Sequence, residues 1–446
     1  EFKYKSKTEK GLTEEIVTQI SKEKNEPQWM LDIRLASLKK FYELKNPTWG
    51  PNLDEVNIDD ITTYIRPDAD LVEDWEEVPE DIKNTFDLLG IPEAERENNL
   101  SGVGAQYDSE VVYHKMQQHL LDQGVIYTDF ESAVREYPEI VQKYFMKCIS
   151  NADHKYAALH YAVWSFVYVP KGVNVDVPLQ SYFRLNAPGA GQFEHTLIII
   201  EEGAYCHFIE GCSAPKYNVV NIHAGAVELF VQEGATLRYS TIENWSRNMY
   251  NLNTKRAIVE KDGAIEWVSG SFGSKVSCLY PMSVLRGENA RSEFTGITFA
   301  GRDQYLDTGT KVVHAAPNTS STVNSKSISK DGGVAIYRGL VKVTKNAKGS
   351  KSTVSCESLM LDQESRSDTI PVIDIATQDV DLGHEAKIGR IDDEVIFYLM
   401  SRGISEAEAK SMVVRGFAEP IAKELPLEYA VEMNNLINLE LEGTIG

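Results

Sequence analysis

The chain lacks the sequence patterns that most often mark a catalytic or metal centre. Its 446 residues include only five cysteines, and no two of them form a CxxC pair that would indicate zinc or a stable cluster. GxxxxGKS, GxxxxGKT and HExxH are also missing, which argues against a P-loop nucleotide site and a zinc protease site. The cysteines are odd in number and scattered over a long chain, so we predict reduced thiols of a cytosolic kind rather than a disulfide framework.

Basic residues and long apolar runs are also scarce. Asp and Glu total 67 against 45 Lys and Arg, which gives a formal net charge of -22 at pH 7. Because this charge repels phosphates, the composition argues against a nucleic-acid partner or an anionic membrane surface. No run of 18 apolar residues occurs, so no membrane span is predicted. The predicted location is the cytoplasm, or a plastid if a leader has been removed before Glu1.

Periodicity and composition divide the chain into three regions. Residues 1–165 are acidic and predicted to be mostly helical, with an exposed, partly irregular connector at 67–100 and two amphipathic helices within 112–147. Residues 166–391 consist of short β-rich runs such as HTLIII and AVELFVQ, separated by turn residues. Residues 392–446 are predicted to be helical, because an apolar stripe is followed by a capping box from Ser405 to Glu408.

Four similar turns recur within the β-rich region. They read EEGA at 201–204, QEGA at 232–235, KDGA at 261–264 and GENA at 287–290. Their spacing is too regular for unrelated loops, and two-residue hairpin turns are few. The pattern therefore favours a mainly β fold with a β-solenoid core, in which each coil adds strands to elongated parallel sheets. A sandwich or a barrel remains the alternative.

Potentially reactive side chains are densest in YCHFIEGCSAPKYNVVNIHAG, which contains Cys206, His207, Glu210, Cys212 and His223. Cys206 and His207 point to opposite faces of a strand, so they cannot share one zinc ion without a bend. Cys206 lies in a β-rich run typical of a packed core residue. Cys212 stands between glycine and Ser-Ala-Pro, which predicts an exposed, reactive thiol at a turn.

Two further positions could bind metal or move protons. Cys356 follows Lys348 and Lys351, which would favour its thiolate if they approach it; the alternative is a buried core residue. His384 and Glu385 lie where the β-region gives way to helix. As neighbours on a strand they point in opposite directions, so a shared site requires a bend or a subunit interface. A hydrogen-bonded structural role is the alternative for His384.

Several long motifs occur in an order that resembles the SufB/SufD family of the SUF iron-sulfur cluster assembly system. They are PQWMLDIRLASLKKF, QFEHTLIIIEEGAYCHFIEGCSAP, HAGAVELFVQEGATLRYSTIENW, GHEAKIGRIDDE and YLMSRGISEAEAKSMVVRGF, and together they cover nearly the whole chain. The resemblance implies a right-handed parallel β-helix core at 166–391, between helical regions at 1–165 and 392–446. It also implies an assembly scaffold rather than an enzyme.

The resemblance further implies partners and cofactors. A cysteine desulfurase and its sulfur-transfer protein would supply sulfur, and the SufC ATPase would dock on residues 392–446 and hydrolyse ATP. SufD or a second SufB would pair with the chain, and apo iron-sulfur proteins would receive the product. The cofactors implied are a transient iron-sulfur cluster, of the 4Fe-4S type, and a reduced flavin as an optional participant.

Individual roles follow from matching motifs. The resemblance assigns Cys212 in EGCSAP as the sulfur acceptor, and Cys356, His384 and Glu385 as the metal-binding residues near the subunit interface. It also assigns a sulfur path through the solenoid to four residues, Arg184 and Asn186 in YFRLN, Trp245 in ENW and Lys255 in NTKR. A soft thiolate with a carboxylate and an imidazole would hold iron loosely enough to release the product.

Two alternative functions remain. A SufD-like structural partner would be expected to lack one or both motif cysteines, so the presence of Cys212 and Cys356 favours the SufB role. A β-helix enzyme acting on polysaccharide would need clustered acids on an open groove. In this chain the acids concentrate in the flanking regions instead. Two departures from some relatives are Gly383 in place of an acid and the absence of a cysteine-rich N-terminal motif.

Overall fold

The computed structural model describes residues 4–87, 102–108, 110–159, 165–215, 218–425 and 427–442. Within them the α-helices are α1 (Glu14–Glu23), α2 (Gln28–Glu43), α3 (Glu80–Asp87), α4 (Gln118–Asp122), α5 (Phe130–Glu136), α6 (Pro138–Tyr144), α7 (Asp393–Ser401), α8 (Glu406–Ala422) and α9 (Leu427–Glu442). Short 3-10 helices span Ile58–Asp60, Trp75–Glu77 and Lys155–Ala158. None of the helices described has the length and apolarity needed to cross a membrane.

Strands dominate the centre of the chain. They are β1 (Tyr4–Lys7), β2 (Ile65–Pro67), β3 (Gly102–Tyr107), β4 (Glu110–Met116), β5 (Ile126–Asp129), β6 (Ser165–Val169), β7 (Asn174–Arg184), β8 (Gly191–Ile200), β9 (Tyr205–Ser213), β10 (Asn221–Val231), β11 (Thr236–Trp245), β12 (Met249–Val259), β13 (Ala264–Gly273), β14 (Val276–Leu279), β15 (Met282–Leu285), β16 (Arg291–Ala300), β17 (Tyr305–Thr308), β18 (Lys311–His314), β19 (Ser320–Ser329), β20 (Val334–Val343), β21 (Ser350–Met360), β22 (Arg366–Ile375) and β23 (Val380–Arg390).

From β6 to β23 these strands form a parallel β-solenoid, which confirms the predicted fold class. One sheet runs from β6 through β8, β10 and β12 to β20 and β22, and the other from β7 through β9, β11 and β13 to β21 and β23. The chain passes from one sheet to the other and back in about eight coils. Each strand therefore pairs with a strand one coil away, which brings residues about thirty positions apart into register.

The recurring turns lie at equivalent places, where the chain passes between the two sheets. In the first two, Gly203 and Gly234 have φ of 68° and 65°, a conformation that glycine adopts without strain. In the third, Asp262 takes that conformation, and the closing hydrogen bond runs from the Gly263 N–H to the Glu260 carbonyl oxygen. That turn is therefore 260–263, one position earlier than the sequence motif suggested.

The two ends of the solenoid differ. At the first coil, β3 joins β7 and carries antiparallel β4, and antiparallel β5 joins β6, so further strands cover that end. At the last coil, β22 and β23 have no strand beyond them among the described residues. Apolar side chains on these two strands stay exposed as a result, among them Ile373 and Ile388. The structure thus has one covered and one open end.

The C-terminal helices α7, α8 and α9 pack on the sheet that contains β13, β16 and β19. Ala409, Val414 and Met433 are buried against solenoid residues such as Phe272 and Ile297. Polar contacts reinforce the packing: Arg238 pairs with Glu424 at 2.7 Å, and Arg247 with Glu440 at 2.7 Å. The capping box predicted at Ser405 and Glu408 is present. These helices therefore share a hydrophobic cluster with the outer face of that sheet.

The N-terminal region corrects two predictions. Between 112 and 147 the chain forms β4 and β5 and the short helices α4, α5 and α6, rather than two amphipathic helices. The acidic segment 67–87 does contain the predicted short helices, but Trp75, Val78 and Ile82 are buried against the C-terminal helices, so it is not simply exposed. Residues 88–101 of that predicted connector lie outside the described residues. In both cases tertiary contacts override local composition.

Candidate functional site

Cys212 lies inside the solenoid, not at an exposed turn as its sequence neighbours suggested. It is next to last in β9, pairs in register with Phe183 on β7 and Glu243 on β11, and is only 5% exposed. Gly211 and Ser213 belong to the same strand, so the small residues that suggested a turn are part of the ladder. Parallel strands buried on both faces accept small residues where space is limited. Any reagent that reacts with Cys212 must therefore reach an interior thiol.

Cys212 belongs to a group of buried polar side chains, which we call the interior polar cluster. Its members are Glu194, Glu210, Cys212, His223, Glu243, Asn251 and Lys255. Strand register explains their convergence, since His223 on β10 pairs with Asn251 on β12, and Cys212 pairs with Glu243. The cluster thus combines a thiol, carboxyl groups, an imidazole and an ammonium group inside one coil stack.

Hydrogen bonds connect the cluster. Asn251 Nδ2 donates to Glu243 Oε2 at 2.7 Å, and its Oδ1 lies 2.7 Å from His223 Nδ1. Lys255 Nζ lies 3.5 Å from Glu243 Oε1. The opposite nitrogen of His223 contacts the carboxyl group of Glu194. A chain of polar contacts therefore runs from Lys255 to Glu194 through the solenoid interior.

Burial and charge set the protonation of this cluster. Burial raises the pKa of the Cys212 thiol well above its usual range, and Glu210, Glu243 and Glu194 raise it further, whereas the Lys255 ammonium lowers it. Burial opposes the charge of Lys255, but Glu243 and Glu210 outweigh that effect and raise its pKa. Lys255 is therefore the group that favours the Cys212 thiolate.

Burial shifts the pKa of the imidazole and the pKa of the carboxyl groups in opposite directions. Burial lowers the pKa of His223 to about 4, so this ring is neutral at neutral pH. Burial raises the pKa of Glu194 well above its usual range, and the neighbouring Glu210 and Glu243 add to the rise. Glu210 also has a raised pKa from burial, and it accepts a hydrogen bond from the Tyr239 hydroxyl. Such a mixed environment can hold and exchange protons.

The other residues assigned to a sulfur path lie close to this cluster. The Trp245 ring is buried against His223, with 4.5 Å between ring centroids. Arg184 Nη1 donates to Ser213 Oγ at 3.2 Å, beside Cys212 in the chain. Asn186 is buried further along, where its backbone N–H donates to Asp108 Oδ1 at 2.6 Å. The structure therefore brings Trp245 and Lys255 to the cluster, whereas Arg184 bonds to Ser213 on the opposite face of the sheet from Cys212 and Asn186 bonds to Asp108.

Sequence reasoning missed several of these groups. Glu194, Glu243 and Asn251 received no role from sequence. The sequence carried one usable signal, the two-residue period of a β-strand. Glu210 and Cys212 are two residues apart, so their side chains lie on the same face of β9. His207 lies on the other face, where Nε2 is 2.8 Å from Ser240 Oγ. His207 and Cys206 therefore lie on opposite faces of β9, as the two-residue period of a strand predicts.

Cys356 lies near the open end of the solenoid, on β21. It is 3% exposed and packs with Val323, Tyr337 and Val354. Burial raises the pKa of its thiol to about 12. Lys351 and Lys348 are exposed and contribute nothing to this shift, so the expectation that they would favour the thiolate is not met.

His384 and Glu385 lie on β23, the last strand of the same sheet. Ala386 is the register partner of Cys356, and Val354 that of His384, so Cys356 and His384 are diagonal neighbours on the inward face. Glu385 points the other way, is exposed, and pairs with Lys387 at 3.1 Å. Within the residues described, no group of three potential ligands converges on one point. Completing a metal site here requires rearrangement or groups from another chain.

Comparison with known proteins agrees with this architecture. Residues 183–417 match the family described as "SUF system FeS cluster assembly, SufBD core domain", and residues 16–181 match "SufBD protein N-terminal region". The chain is also 54% identical, over 443 residues, to proteins named "Iron-sulfur cluster assembly SufBD family protein" from Staphylococcus aureus strains MRSA252 and USA300 and from Staphylococcus epidermidis. The alignment covers 99% of this chain and 95% of each of these relatives. The chain therefore belongs to the SufBD family of the SUF system, whose proteins take part in iron-sulfur cluster assembly.

Proposed function

We propose that this chain is the SufB-type scaffold, which accepts sulfur on Cys212 and builds a cluster at the open end of the solenoid. The observation that carries the proposal is the position of the Cys212 thiol within the interior polar cluster. Burial and the neighbouring carboxyl groups raise the pKa of this thiol, and Lys255 is the group that lowers it. Sulfur transfer needs both a nucleophilic sulfur and a means of moving protons.

The transfer itself is a thiol exchange. The Cys212 thiolate attacks the outer sulfur of a persulfide carried by the desulfurase or its sulfur-transfer protein, and the donor leaves as a thiolate. Cys212 then holds the persulfide, and Lys255 stabilises its negative charge. Because Cys212 is interior, the donor gains access only when part of the coil opens or when sulfur passes along the polar groups from Arg184 and Asn186.

Cluster formation is proposed at the other thiol. Cys356 offers a soft sulfur ligand and His384 an imidazole whose Nε2 is buried without a hydrogen-bond partner. Glu385 offers a carboxylate on the outer face, where it can serve a ligand site shared with another chain. We propose that SufD or a second SufB covers this end and completes the site. The cluster is cargo here and leaves with an apo acceptor protein; a 4Fe-4S type and a role for reduced flavin are part of the proposal.

Substituting Cys356 with alanine tests this placement. After anaerobic reconstitution of the assembled complex with iron and sulfide, we expect the visible absorbance of the cluster to fall by about tenfold, because the soft ligand is lost. Thr353→Ala is the matched control, since Thr353 lies on the exposed face of the same strand. An undiminished cluster yield in folded Cys356→Ala protein would remove Cys356 from the site.

We also propose that the SufC ATPase docks on the C-terminal helices. Phe397 and Tyr398 of α7 are 73% and 56% exposed, and Met400 and Met412 are exposed nearby. Exposed apolar side chains of this size commonly mark a protein interface. The opposite side of these helices is already buried on the solenoid, so the exposed side is the one open to a partner.

Replacing Phe397 with glutamate is expected to weaken binding of the ATPase at least about tenfold. Burying a phenylalanine contributes about 1.5–3 kcal/mol, and a buried carboxylate would add a desolvation cost. Isothermal calorimetry with the purified ATPase measures the change. Leu121→Glu is the control, because Leu121 is similarly apolar and exposed but lies in the N-terminal region. Equal loss in both variants, or none in Phe397→Glu, would refute docking at α7.

Two other functions fit less well. A SufD-like structural role would leave Cys212 without a purpose, and persulfide analysis of Cys212 decides between the two. A polysaccharide-active enzyme needs accessible carboxyl groups, whereas Glu194 and Glu210 are sealed inside the solenoid. We propose the cytoplasm as the site of assembly, or a plastid if a leader precedes this chain.

A further inference from the structure

A pocket of about 410 Å³ lies on the outer face of the solenoid, away from both thiols discussed above. Its base is formed by β12, by the residues around Tyr280 and by β18, and its walls by the loops 44–53 and 153–156. A volume of this size suits a small organic ligand. Among the residues given a role above, Lys255 also lines this pocket, whereas neither Cys212 nor Cys356 does.

The pocket is basic in a strongly acidic chain. Five basic residues line it together with His154 and the carboxylate of Asp153; they are Lys45, Lys155, Lys255, Arg256 and Lys311. Arg256 is already engaged by Asp153, at 2.8 Å. A local excess of positive charge on a chain of net charge -22 attracts an anion that the rest of the surface repels.

Lys45, Lys155 and Lys311 have no carboxylate partner among the described residues, and Lys155 alone of the three is held by backbone carbonyl groups. Lys155 Nζ donates to the carbonyl oxygens of Phe41 and Leu44 at 2.8 and 3.2 Å, which occupies it at the end of α2. Lys45 and Lys311 form no salt bridge with any carboxylate in the described part of the chain. Lys311 is half-buried, and burial together with Arg256 and Arg338 lowers its pKa. A bound anion would relieve this unfavourable charge.

An aromatic wall borders the lysines. Trp49 remains 47% exposed, although Arg338 lies 4.8 Å from the centre of its ring and the Tyr280 ring lies 5.7 Å away. The contacts with Arg338 and Tyr280 leave about half of the Trp49 side chain accessible. An exposed indole beside ammonium groups can stack on a planar ring.

We propose that this pocket binds a small phosphorylated ligand with a planar ring, of the chemical class of a mononucleotide. The phosphate lies between Lys45 and Lys311, and the ring packs against Trp49. Arg338 does not bind the phosphate, because Asp307 holds its guanidinium with contacts of 2.8 and 3.1 Å. The proposal is independent of the function of Cys212 and Cys356.

Binding to the full chain is tested with three probes: adenosine monophosphate, inorganic phosphate and adenosine. We expect adenosine monophosphate to bind, with a change in Trp49 fluorescence, phosphate to bind more weakly, and adenosine to bind least. Lys311→Ala should weaken adenosine monophosphate binding about tenfold, as measured by calorimetry, because a charge-assisted contact is lost. Lys342→Ala should leave it unchanged, since Lys342 lies outside the pocket and pairs with Asp374.

Several outcomes would overturn the proposal. No binding of adenosine monophosphate at millimolar concentration refutes a phosphate site, and equal affinity for inorganic phosphate refutes the role of the ring. Binding that survives both Lys311→Ala and Lys45→Ala places the ligand elsewhere. Trp49→Phe should abolish the fluorescence change, and a signal that persists would come from another tryptophan and would refute contact with Trp49.

Discussion

Replacing Cys212 with alanine is expected to abolish persulfide formation on this chain after exposure to a sulfur-loaded cysteine desulfurase and its sulfur-transfer protein. The thiol is the only nucleophilic sulfur within the interior polar cluster as described, and no neighbouring side chain can take its place. Mass spectrometry of the intact chain and of its peptides measures the added sulfur. The expected loss is complete rather than partial, because the acceptor atom itself is removed.

Cys206→Ala is the matched control for this experiment. Cys206 lies on the same strand and is equally buried, so its substitution removes a similar volume from the core. Persulfide on Cys212 should persist in that variant. Detection of a persulfide on Cys356 at unchanged yield in Cys212→Ala protein would contradict the order of transfer proposed here.

The charge of Lys255 should also affect how the reactivity of the Cys212 thiol depends on pH. Lys255 lowers the pKa of the Cys212 thiol, so Lys255→Met raises that pKa further and reduces the thiolate fraction at any given pH below it. Each unit of pKa corresponds to about a tenfold change in that fraction. The rate of Cys212 alkylation should therefore fall in Lys255→Met protein and recover as pH rises. Lys261→Met, in an exposed turn, is the control.

Placing aspartate at both Ile373 and Ile388 is expected to abolish pairing of this chain with SufD or with a second copy. These side chains continue the inward-facing rows of the two sheets, yet they remain 46% and 49% exposed because no further coil covers them. Burying each contributes about 1.5–3 kcal/mol, so losing both weakens association by roughly a hundredfold or more. Light scattering and co-purification measure the change.

The control for the pairing experiment is Leu71→Asp, which alters an equally exposed apolar residue far along the chain from the open end. It should leave association unaffected. If the double variant still pairs with full affinity, the open end is not the interface. The proposed shared ligand site of Cys356, His384 and Glu385 would then lose its physical basis, although the sulfur chemistry of Cys212 would stand.

Much of the fold could be predicted from sequence because its signals are local. Positive φ at Gly203 and Gly234 requires little beyond a glycine at a turn, and the capping box of Ser405 and Glu408 needs only two side chains and one helical turn. The resemblance of the long motifs to the SufB/SufD family is confirmed by the matched family regions. Secondary structure in residues 112–147 was predicted wrongly because pairing with distant strands decides it.

The candidate site was less accessible to sequence reasoning. Sequence reasoning singled out Cys212, whose role stays a prediction, but it predicted the surroundings as a turn because Gly211 and the residues after Ser213 look like one. The neighbouring sequence does not show that a small residue is buried within a solenoid strand. Glu243 and Asn251 were overlooked for a related reason: each is an ordinary polar residue until register with the next coil places it beside Cys212 or His223.

By itself the sequence determined the repeating coil and the helical C-terminal region, because turn chemistry and periodicity act over a few positions. Only the tertiary structure decided which polar side chains share the interior with Cys212, and which strands remain uncovered at the open end. The physical reason is that the lateral contacts of a parallel solenoid join residues about one coil apart, and the register of that pairing depends on the whole stack.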